Sequence, residues 1–272
     1  MLSGLHPQNK TRLICFERNV VDMNEYVKNL DRIEFVITMA CTGRCKHCSE
    51  GEHINCQGHI NKDIAVNSIR KICKNYKIKS LMTFGGEPLI YPDVVCSIHK
   101  CADKMEIEKR QLITNGFFSK NPKKIKKVVN GLEESGVNSI LLSVDAFHQE
   151  TIPLEPVKYF AEIVSQSKIH IELSPAWLVS EDDNNLYNSK TKEILEKFAD
   201  LNIQIGPGNV IFPSGNALKY LKEYFDENMD ATSPYEENPN DIRTVSFSPN
   251  GDVLNSNVYH KDILDILANY HP

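Results

Sequence analysis

Three cysteines, Cys41, Cys45 and Cys48, lie within eight residues of one another. Cysteine thiolates bind zinc and the irons of iron–sulfur clusters. Because four thiolates saturate a [4Fe–4S] cluster, three on one tight loop would hold three corners and leave one iron open to another molecule. The spacing alone also allows a zinc site. A fourth zinc ligand could come from the donors that adjoin or follow the motif, which are His47, His53, Cys56 and His59.

The elements that must position this loop form a repeating pattern. Short apolar runs are each followed by a pattern typical of an amphipathic helix, and from the second run onward they recur at about 30 residues, the size of a βαβ unit. Strands are predicted over residues 33–38, 80–84, 111–115, 140–145, 169–174 and 202–206. Strands that alternate with helices imply a parallel sheet. The absence of a dinucleotide-binding fingerprint after the first strand favours an α/β fold that is an incomplete barrel.

The position of the cysteine loop fits a site in such a barrel. It directly follows the first predicted strand, and active sites of βα barrels lie at the C-terminal ends of the strands.

Polar and apolar residues alternate in the last three predicted strands, so each strand has one apolar and one polar face. The apolar faces would pack under the helices. The polar faces would line the barrel interior, where packed barrels place apolar side chains, so a polar lining indicates a bound polar ligand. The residues predicted to border that ligand are Ser143, Asp145, His170, Glu172, Ser174 and Gln204.

The chain divides into four predicted segments. Residues 1–32 form an N-terminal extension, 33–225 the partial barrel, and 226–245 a polar, acidic linker or lid. Residues 246–272 form a short appendage, in which Pro-Asn-Gly-Asp indicates a β-hairpin and a short helix follows.

The composition excludes several classes of protein. The 272 residues are 41% hydrophobic and 25% charged with a net charge of −5, which excludes a disordered or collagen-like chain and argues against a dedicated nucleic-acid-binding protein. The sequence contains no run of about 18 apolar residues, so no membrane span is predicted. The first residues lack the apolar centre of a secretion signal. Eight cysteines are too few for a disulfide scaffold. We therefore expect a cytoplasmic protein whose clustered cysteines carry metal or redox chemistry.

Four motifs together resemble those of the radical S-adenosylmethionine (SAM) superfamily, and they occur in order at successive predicted strands. The segment from Cys41 to Cys48 resembles the family's CxxxCxΦC signature, with His47 at the usually aromatic position. The later motifs are Gly85-Gly86-Glu87-Pro88, Thr114-Asn115-Gly116 and Ser143-Val144-Asp145. The similarity covers roughly residues 33–215 and strongly disfavours the zinc site.

The resemblance implies a partial (β/α)6 TIM-like barrel and a defined chemistry. Cys41, Cys45 and Cys48 would hold one [4Fe–4S] cluster, and SAM would chelate its open iron. An external one-electron reductant such as flavodoxin or ferredoxin would supply the electron that cleaves SAM. The resulting 5′-deoxyadenosyl radical would abstract hydrogen from a peptide or a small metabolite.

The resemblance and the strand pattern together nominate the remaining site residues. Gly85 and Gly86 would allow close backbone approach to a ligand, and Glu87 would bind an ammonium group. Asp145 and His148 would contact substrate or act as an acid/base pair. The other side chains expected at SAM or substrate are His47 near adenine, Asn115 at the methionine carboxylate or substrate, Ser143 at the ribose, and Glu172, Ser174 and Gln204 on the polar strand faces.

The C-terminal region resembles a SPASM or twitch extension that has lost its metal ligands. Residues 211–217 and 248–253 match the stretch that leads into that extension, but residues 254–257 carry no cysteine and none occurs after Cys101. We therefore expect one cluster per chain. Without an auxiliary cluster to accept an electron, redox-neutral epimerisation, rearrangement or elimination is favoured over oxidation. The alternatives are an activase that installs a glycyl radical on a partner protein and a non-enzymatic zinc-binding module.

Overall fold

A computed structural model describes residues 24–53, 56–225 and 236–272. Most of the predicted N-terminal extension and the first half of the predicted linker or lid lie outside these ranges. None of the described helices is long and apolar enough to cross a membrane.

The strands that form the main sheet are β1 (Arg32–Val36), β2 (Ser80–Phe84), β3 (Lys109–Thr114), β4 (Ser139–Ser143), β5 (His170–Ser174), β7 (Gln204–Ile205) and β9 (Thr244–Phe247). Short strands outside it are β6 (Ala176–Trp177), β8 (Asn209–Val210), β10 (Asp252–Val253) and β11 (Ser256–Asn257). All neighbours in the main sheet run parallel, in the order β7-β5-β4-β3-β2-β1-β9. The described edge strands β7 and β9 do not pair with each other, so the α/β barrel is partial, as the sequence predicted.

The helices are α1 (Lys62–Asn75), α2 (Pro92–Lys104), α3 (Pro122–Glu134), α4 (Ala146–Gln149), α5 (Leu154–Ser165), α6 (Leu186–Glu196), α7 (Gly215–Tyr220) and α8 (Ile263–Ala268). Their starts follow from local chemistry. The Asn61 side chain accepts hydrogen bonds from the first free amides of α1, and Asn121 does the same for α3, where Pro122 also fits the first position.

The core lies between the sheet and the helices. In β4 and β5, Ile140, Leu142 and Leu173 are fully buried, whereas Ser143 and Glu172 on the opposite face are half-buried. The predicted alternation therefore holds in these strands. It fails at β7, which is an edge strand of only two residues, and there Ile205 is 50% exposed.

The C-terminal region is joined to the barrel more closely than an appendage would be. The segment Thr244–Phe247 adds to the sheet as β9, in parallel register with β1, so that Phe247 stacks on Phe35 with ring centroids 4.7 Å apart. A hairpin does form, but its strands are β10 and β11, and it turns at Leu254-Asn255. The predicted Pro-Asn-Gly-Asp turn instead connects β9 to β10.

The polar strand faces border an open cavity of about 600 Å³. His170 and Glu172 of β5 line it with Gln111 and Ser139 from the adjoining strands. His170 is exposed at the N-terminal end of its strand, while Glu172 lies one step further inside. The residues that line this cavity lie at or near the starts of β3, β4 and β5, so it opens at the N-terminal ends of the strands, opposite the cysteine loop. That His170 and Glu172 border a ligand stays a prediction.

Candidate functional site

The cysteine loop and the Gly85-Gly86-Glu87-Pro88 loop lie against each other at the C-terminal ends of β1 and β2. The Gly86 amide donates to the Thr38 carbonyl and the Glu87 amide to the Ala40 carbonyl, both at 2.8 Å. These bonds fix the second loop directly beneath the start of the cysteine segment. The sequence placed the two motifs at neighbouring strand ends, and the structure brings them into contact.

The two glycines are required by this backbone contact. A Cβ added at Gly86 would lie 2.3 Å from the Ala40 carbonyl oxygen, and one at Gly85 would lie 2.5 Å from that of Thr38. Gly85 also has a φ of +150°, a conformation that disfavours other residues. The predicted close approach therefore exists, but the group that is approached is the cysteine loop itself.

The three thiols share a poorly hydrated environment. Burial raises the pKa of Cys41 to about 11 and raises the pKa of Cys45 and Cys48 as well, and the proximity of the three sulfurs adds to the shift at Cys45. Without a metal they are neutral thiols, whereas coordination deprotonates a thiol outright. Three thiols on one loop, without a fourth cysteine among them, are a donor set that fits a cluster with one open corner.

Glu87 joins the second strand's loop to the third. Its side chain is fully buried and accepts hydrogen bonds from Thr114 Oγ1 at 2.7 Å and from the amides of Leu89 and Asn115 at 2.8 and 2.9 Å. Burial raises the pKa of Glu87 to about 7, although these hydrogen bonds favour the charged form. The carboxylate thus holds the loops together. An ammonium group bound by Glu87, as predicted, would share these oxygens with the existing hydrogen bonds.

Asn115 reaches the cysteine loop from the end of β3. Its Nδ2 lies 3.2 Å from Thr42 Oγ1 and 3.7 Å from Cys41 Sγ. The predicted site residues of three strands therefore converge on one edge. Thr42, which sequence reasoning did not select, is part of this contact.

Asp145 occupies a different environment from the one predicted. It is fully buried, and its carboxylate accepts hydrogen bonds from the amides of Phe147, His148 and Ala176 and from the His148 ring at 2.8 Å. Burial disfavours its charge, but His148 and the hydrogen bonds outweigh this and lower the pKa to about 2. Asp145 therefore caps α4 and does not face the polar lining of the barrel. It is hydrogen-bonded to His148, and an acid/base or substrate role for this pair stays a prediction.

His47, on the cysteine loop, packs against α4. Its ring lies 4.8 Å from that of His148 and 5.0 Å from that of Phe147, measured between centroids. Its buried Nδ1 has no hydrogen-bond partner among the described residues. Donor atoms of Cys45, His47 and His148 lie within 4.8 Å of one another, which is the arrangement closest to the zinc alternative.

Ser143, Glu172, Ser174 and Gln204 lie together on the concave side of the sheet. Ser143 is opposite Ser174 and Glu172 is opposite Gln204 in the strand register. A Cβ at Gly206 would lie 2.0 Å from Glu172 Oε1, so this glycine makes the space for the Glu172 carboxylate.

Residues 214–216, which follow the last short strands of the barrel, support the cysteine loop through hydrogen bonds. The Asn216 side chain donates to the Cys45 carbonyl at 3.0 Å, and its backbone amide donates to the Cys48 carbonyl at 2.9 Å. Cys48 Sγ also lies 3.2 Å from His53 Nε2. The sequence marked residues 211–217 only through the resemblance, and no spacing rule indicated that Asn216 supports the loop.

Comparison with known proteins agrees with this geometry. A family model described as the Radical SAM superfamily matches residues 35–172. A GTP 3′,8-cyclase of Clostridium perfringens (strain 13 / Type A) is 25% identical over 248 residues, which are 90% of this chain and 64% of the cyclase. The chain thus spans less than two thirds of that relative's length.

Two solved structures share the fold. SuiB of Streptococcus suis bound to the precursor peptide SuiA has a TM-score of 0.56 and 13% identity, and the match covers 91% of this chain and 66% of SuiB. BtrN in complex with AdoMet and 2-DOIA has a TM-score of 0.50 and 13% identity, with 89% of this chain and 84% of BtrN covered. The family match, together with the contacts among the loops that follow β1, β2 and β3, leads to one conclusion: the chain belongs to the radical SAM superfamily of enzymes, which use SAM and an iron–sulfur cluster.

Proposed function

We propose that this protein cleaves SAM reductively at a single [4Fe–4S] cluster and abstracts hydrogen from a small polar metabolite or a peptide. The observation that carries the proposal is the contact between the three-cysteine loop and the Gly85–Pro88 loop, because it puts three thiols beside a second loop at the barrel's C-terminal edge. One-electron reduction of SAM at the cluster supplies the radical that removes hydrogen. The difficult chemistry is the cofactor's, and the protein contributes placement and exclusion of water.

The chain's own residues divide the work of placement. Cys41, Cys45 and Cys48 would hold the cluster, and the Gly85–Glu87 turn and Asn115 would hold the amino-acid end of SAM. Ser143 and Ser174 would bind the ribose hydroxyls, and His47 would lie near adenine. Asp145 would keep His148 oriented, since its carboxylate already accepts a hydrogen bond of 2.8 Å from the His148 ring nitrogen.

Glu172 and Gln204 are suited to bind the substrate. They lie deeper along the concave face than Ser143 and Ser174, and Glu172 makes no ion pair among the described residues. A half-buried carboxylate beside hydroxyls and an amide favours a substrate with amine or hydroxyl groups. With no cysteine after Cys101, we favour a redox-neutral outcome: epimerisation, rearrangement or elimination.

The relatives suggest specific substrates for the test. The cyclase is named for GTP, SuiB is bound to a precursor peptide, and BtrN is bound to 2-DOIA. The experiment incubates the anaerobically reconstituted protein with SAM, dithionite and each of three labelled substrates: GTP, a peptide and 2-DOIA, all deuterated at carbon. Transfer of deuterium into 5′-deoxyadenosine identifies the substrate.

Matched variants separate the steps. Glu172→Gln should reduce substrate-dependent deuterium transfer while leaving substrate-free SAM cleavage within about twofold, and Glu181→Gln at an exposed position is the control. A stable radical that appears in an added partner protein instead of in a small product would indicate the activase function. A colourless protein that carries zinc and leaves SAM intact would contradict the proposal.

A further inference from the structure

Helix α3 carries a concentrated positive surface next to the site. Five lysines occur within eight residues, and all are exposed. We call them the lysine patch, which consists of Lys120, Lys123, Lys124, Lys126 and Lys127. No lysine of the patch forms an ion pair within the described part of the chain, although the whole chain has a net charge of −5.

The patch is unfavourable for the helix that carries it. Lys123 and Lys127 are four residues apart, and Lys124 and Lys127 are three apart, so like charges are neighbours on the helix surface. The first turn of α3 contains no acidic residue and the last turn contains no basic one. Since a helix favours negative charge at its start and positive charge at its end, the charges oppose the helix dipole at both ends. Folding alone gives no reason for this arrangement.

The patch lies on the same edge of the barrel as the cysteines. Asn115, at the end of β3, has its Nδ2 3.7 Å from Cys41 Sγ, and Lys120 follows it by five residues, which is at most about 18 Å of extended chain. Asn121 then caps α3, so the lysines of its first two turns begin close to the cysteine loop.

We propose that the lysine patch is the docking surface for an acidic one-electron donor protein. The inference rests on the proposed function, which needs one electron from outside for each SAM cleaved. The donor is oxidised by one electron, SAM accepts that electron as its sulfonium–carbon bond breaks, and no proton moves in this step. A positive surface beside the site raises the association rate of a negative partner by electrostatic steering.

The observations favour a donor over an acidic peptide substrate. Every member of this reaction class needs an electron, whereas a peptide substrate is one of several options. No cysteine after Cys101 offers a second cluster as an internal relay. The lysines also lie on the outer side of α3, because the residues that alternate with them, Ile125, Val128 and Val129, are buried against the sheet.

The test compares two ways of supplying the electron to the reconstituted enzyme. Dithionite needs no docking, whereas a flavodoxin of net negative charge, reduced by NADPH and its reductase, does. The patch variant is Lys123→Glu with Lys124→Glu, and the control variant is Lys77→Glu with Lys100→Glu, two exposed lysines outside the patch, one before β2 and one in helix α2. The flavodoxin Kd and the rate of 5′-deoxyadenosine formation are measured at low and high salt.

We expect the patch variant to bind flavodoxin at least tenfold more weakly at low ionic strength and to lose flavodoxin-driven activity in proportion, with an unchanged dithionite-driven rate. High salt should remove the difference by screening. The variant should also unfold at a higher urea concentration, because the substitutions remove like-charge pairs and fit the dipole. A flavodoxin Kd and rate within twofold of the control would overturn the inference, as would a loss confined to turnover of a peptide substrate. Failure of the wild-type protein to cleave SAM with dithionite would instead overturn the proposed function.

Discussion

At the scale of single residues, Asp145 has more hydrogen bonds than its predicted catalytic role requires. Its carboxylate caps α4, orients His148 and accepts the Ala176 amide. Removing one partner from a buried charged network leaves the others unsatisfied. The position is therefore structural first, and it contributes to the site by holding His148.

Replacing Asp145 with Asn should destabilise the fold by about 3 kcal/mol, since an amide nitrogen cannot accept any of the bonds that the lost oxygen received. Urea unfolding measures the free energy. Asp182→Asn, at an exposed position, should change it by less than about 0.5 kcal/mol. An unchanged unfolding free energy for Asp145→Asn would refute the structural role.

Residue types and spacing predict that three cysteines bind a metal cluster, whereas they do not reveal which residues share hydrogen bonds. The Cys41, Cys45 and Cys48 spacing is informative because a cluster needs several thiolates on one loop. Spacing gave no signal for the hydrogen-bond partners of Glu87, because Thr114 and Asn115, at the end of β3, are 27 and 28 residues away. Likewise, strand alternation extended two residues too far when it placed Asp145 on the polar face, because β4 ends at Ser143.

At the scale of elements, helix α2 is joined to β2 through a buried polar pair. His99 is fully buried, with Nε2 2.8 Å from Thr83 Oγ1, and its Nδ1 has no partner among the described residues. Burial, with a smaller contribution from Arg110, lowers the pKa of His99 to about 3. The folded protein therefore holds this ring neutral.

This pair predicts a loss of stability in acid. Because the folded pKa lies below the unfolded value of about 6.5, the stability is fully present above pH 6.5 and is lost as the pH falls toward 3. At pH 4 the loss from His99 is about 3 kcal/mol. Unfolding free energies at pH 7 and 4 measure it. His99→Gln should lower the pH dependence by that amount, whereas His170→Gln, at an exposed histidine, should leave it unchanged; equal pH dependence in both variants would contradict the assignment.

Elements with strong local signals were predicted well. The second predicted strand, 80–84, coincides with β2, and Asn121-Pro122 correctly indicated the start of α3. The pairing of β9 was missed, since it depends on a partner strand more than 200 residues away in sequence, with Arg32 opposite Thr244. A turn signal such as Pro-Asn-Gly-Asp describes the local bend alone and leaves the strand's partner undefined.

At the scale of the whole molecule, strands from near the two ends of the described chain pair at one edge of the partial barrel. β9 covers the outer edge of β1, and Phe247 stacks on Phe35 at a 4.7 Å centroid distance. The cysteine loop leaves the sheet just after β1, so its position depends on this C-terminal strand.

Truncating Phe247 to Ala should therefore cost about 3–4 kcal/mol of unfolding free energy, as for other fully buried aromatic side chains. Leu186→Ala, at a side chain that is 80% exposed, is the control and should cost less than about 0.5 kcal/mol. Denaturant unfolding measures the free energy of unfolding of both variants. If Phe247→Ala matched the control, the C-terminal region would be an appendage after all.

The most direct test of the central claim is SAM cleavage by the reconstituted protein. With iron, sulfide, SAM and dithionite under anaerobic conditions, the wild-type protein should bind about four irons per chain and form 5′-deoxyadenosine, while Cys45→Ser should do neither and Cys73→Ser, in helix α1, should do both. A wild-type protein that takes up the iron and yet leaves SAM intact, or that performs no differently from Cys45→Ser, would contradict the account.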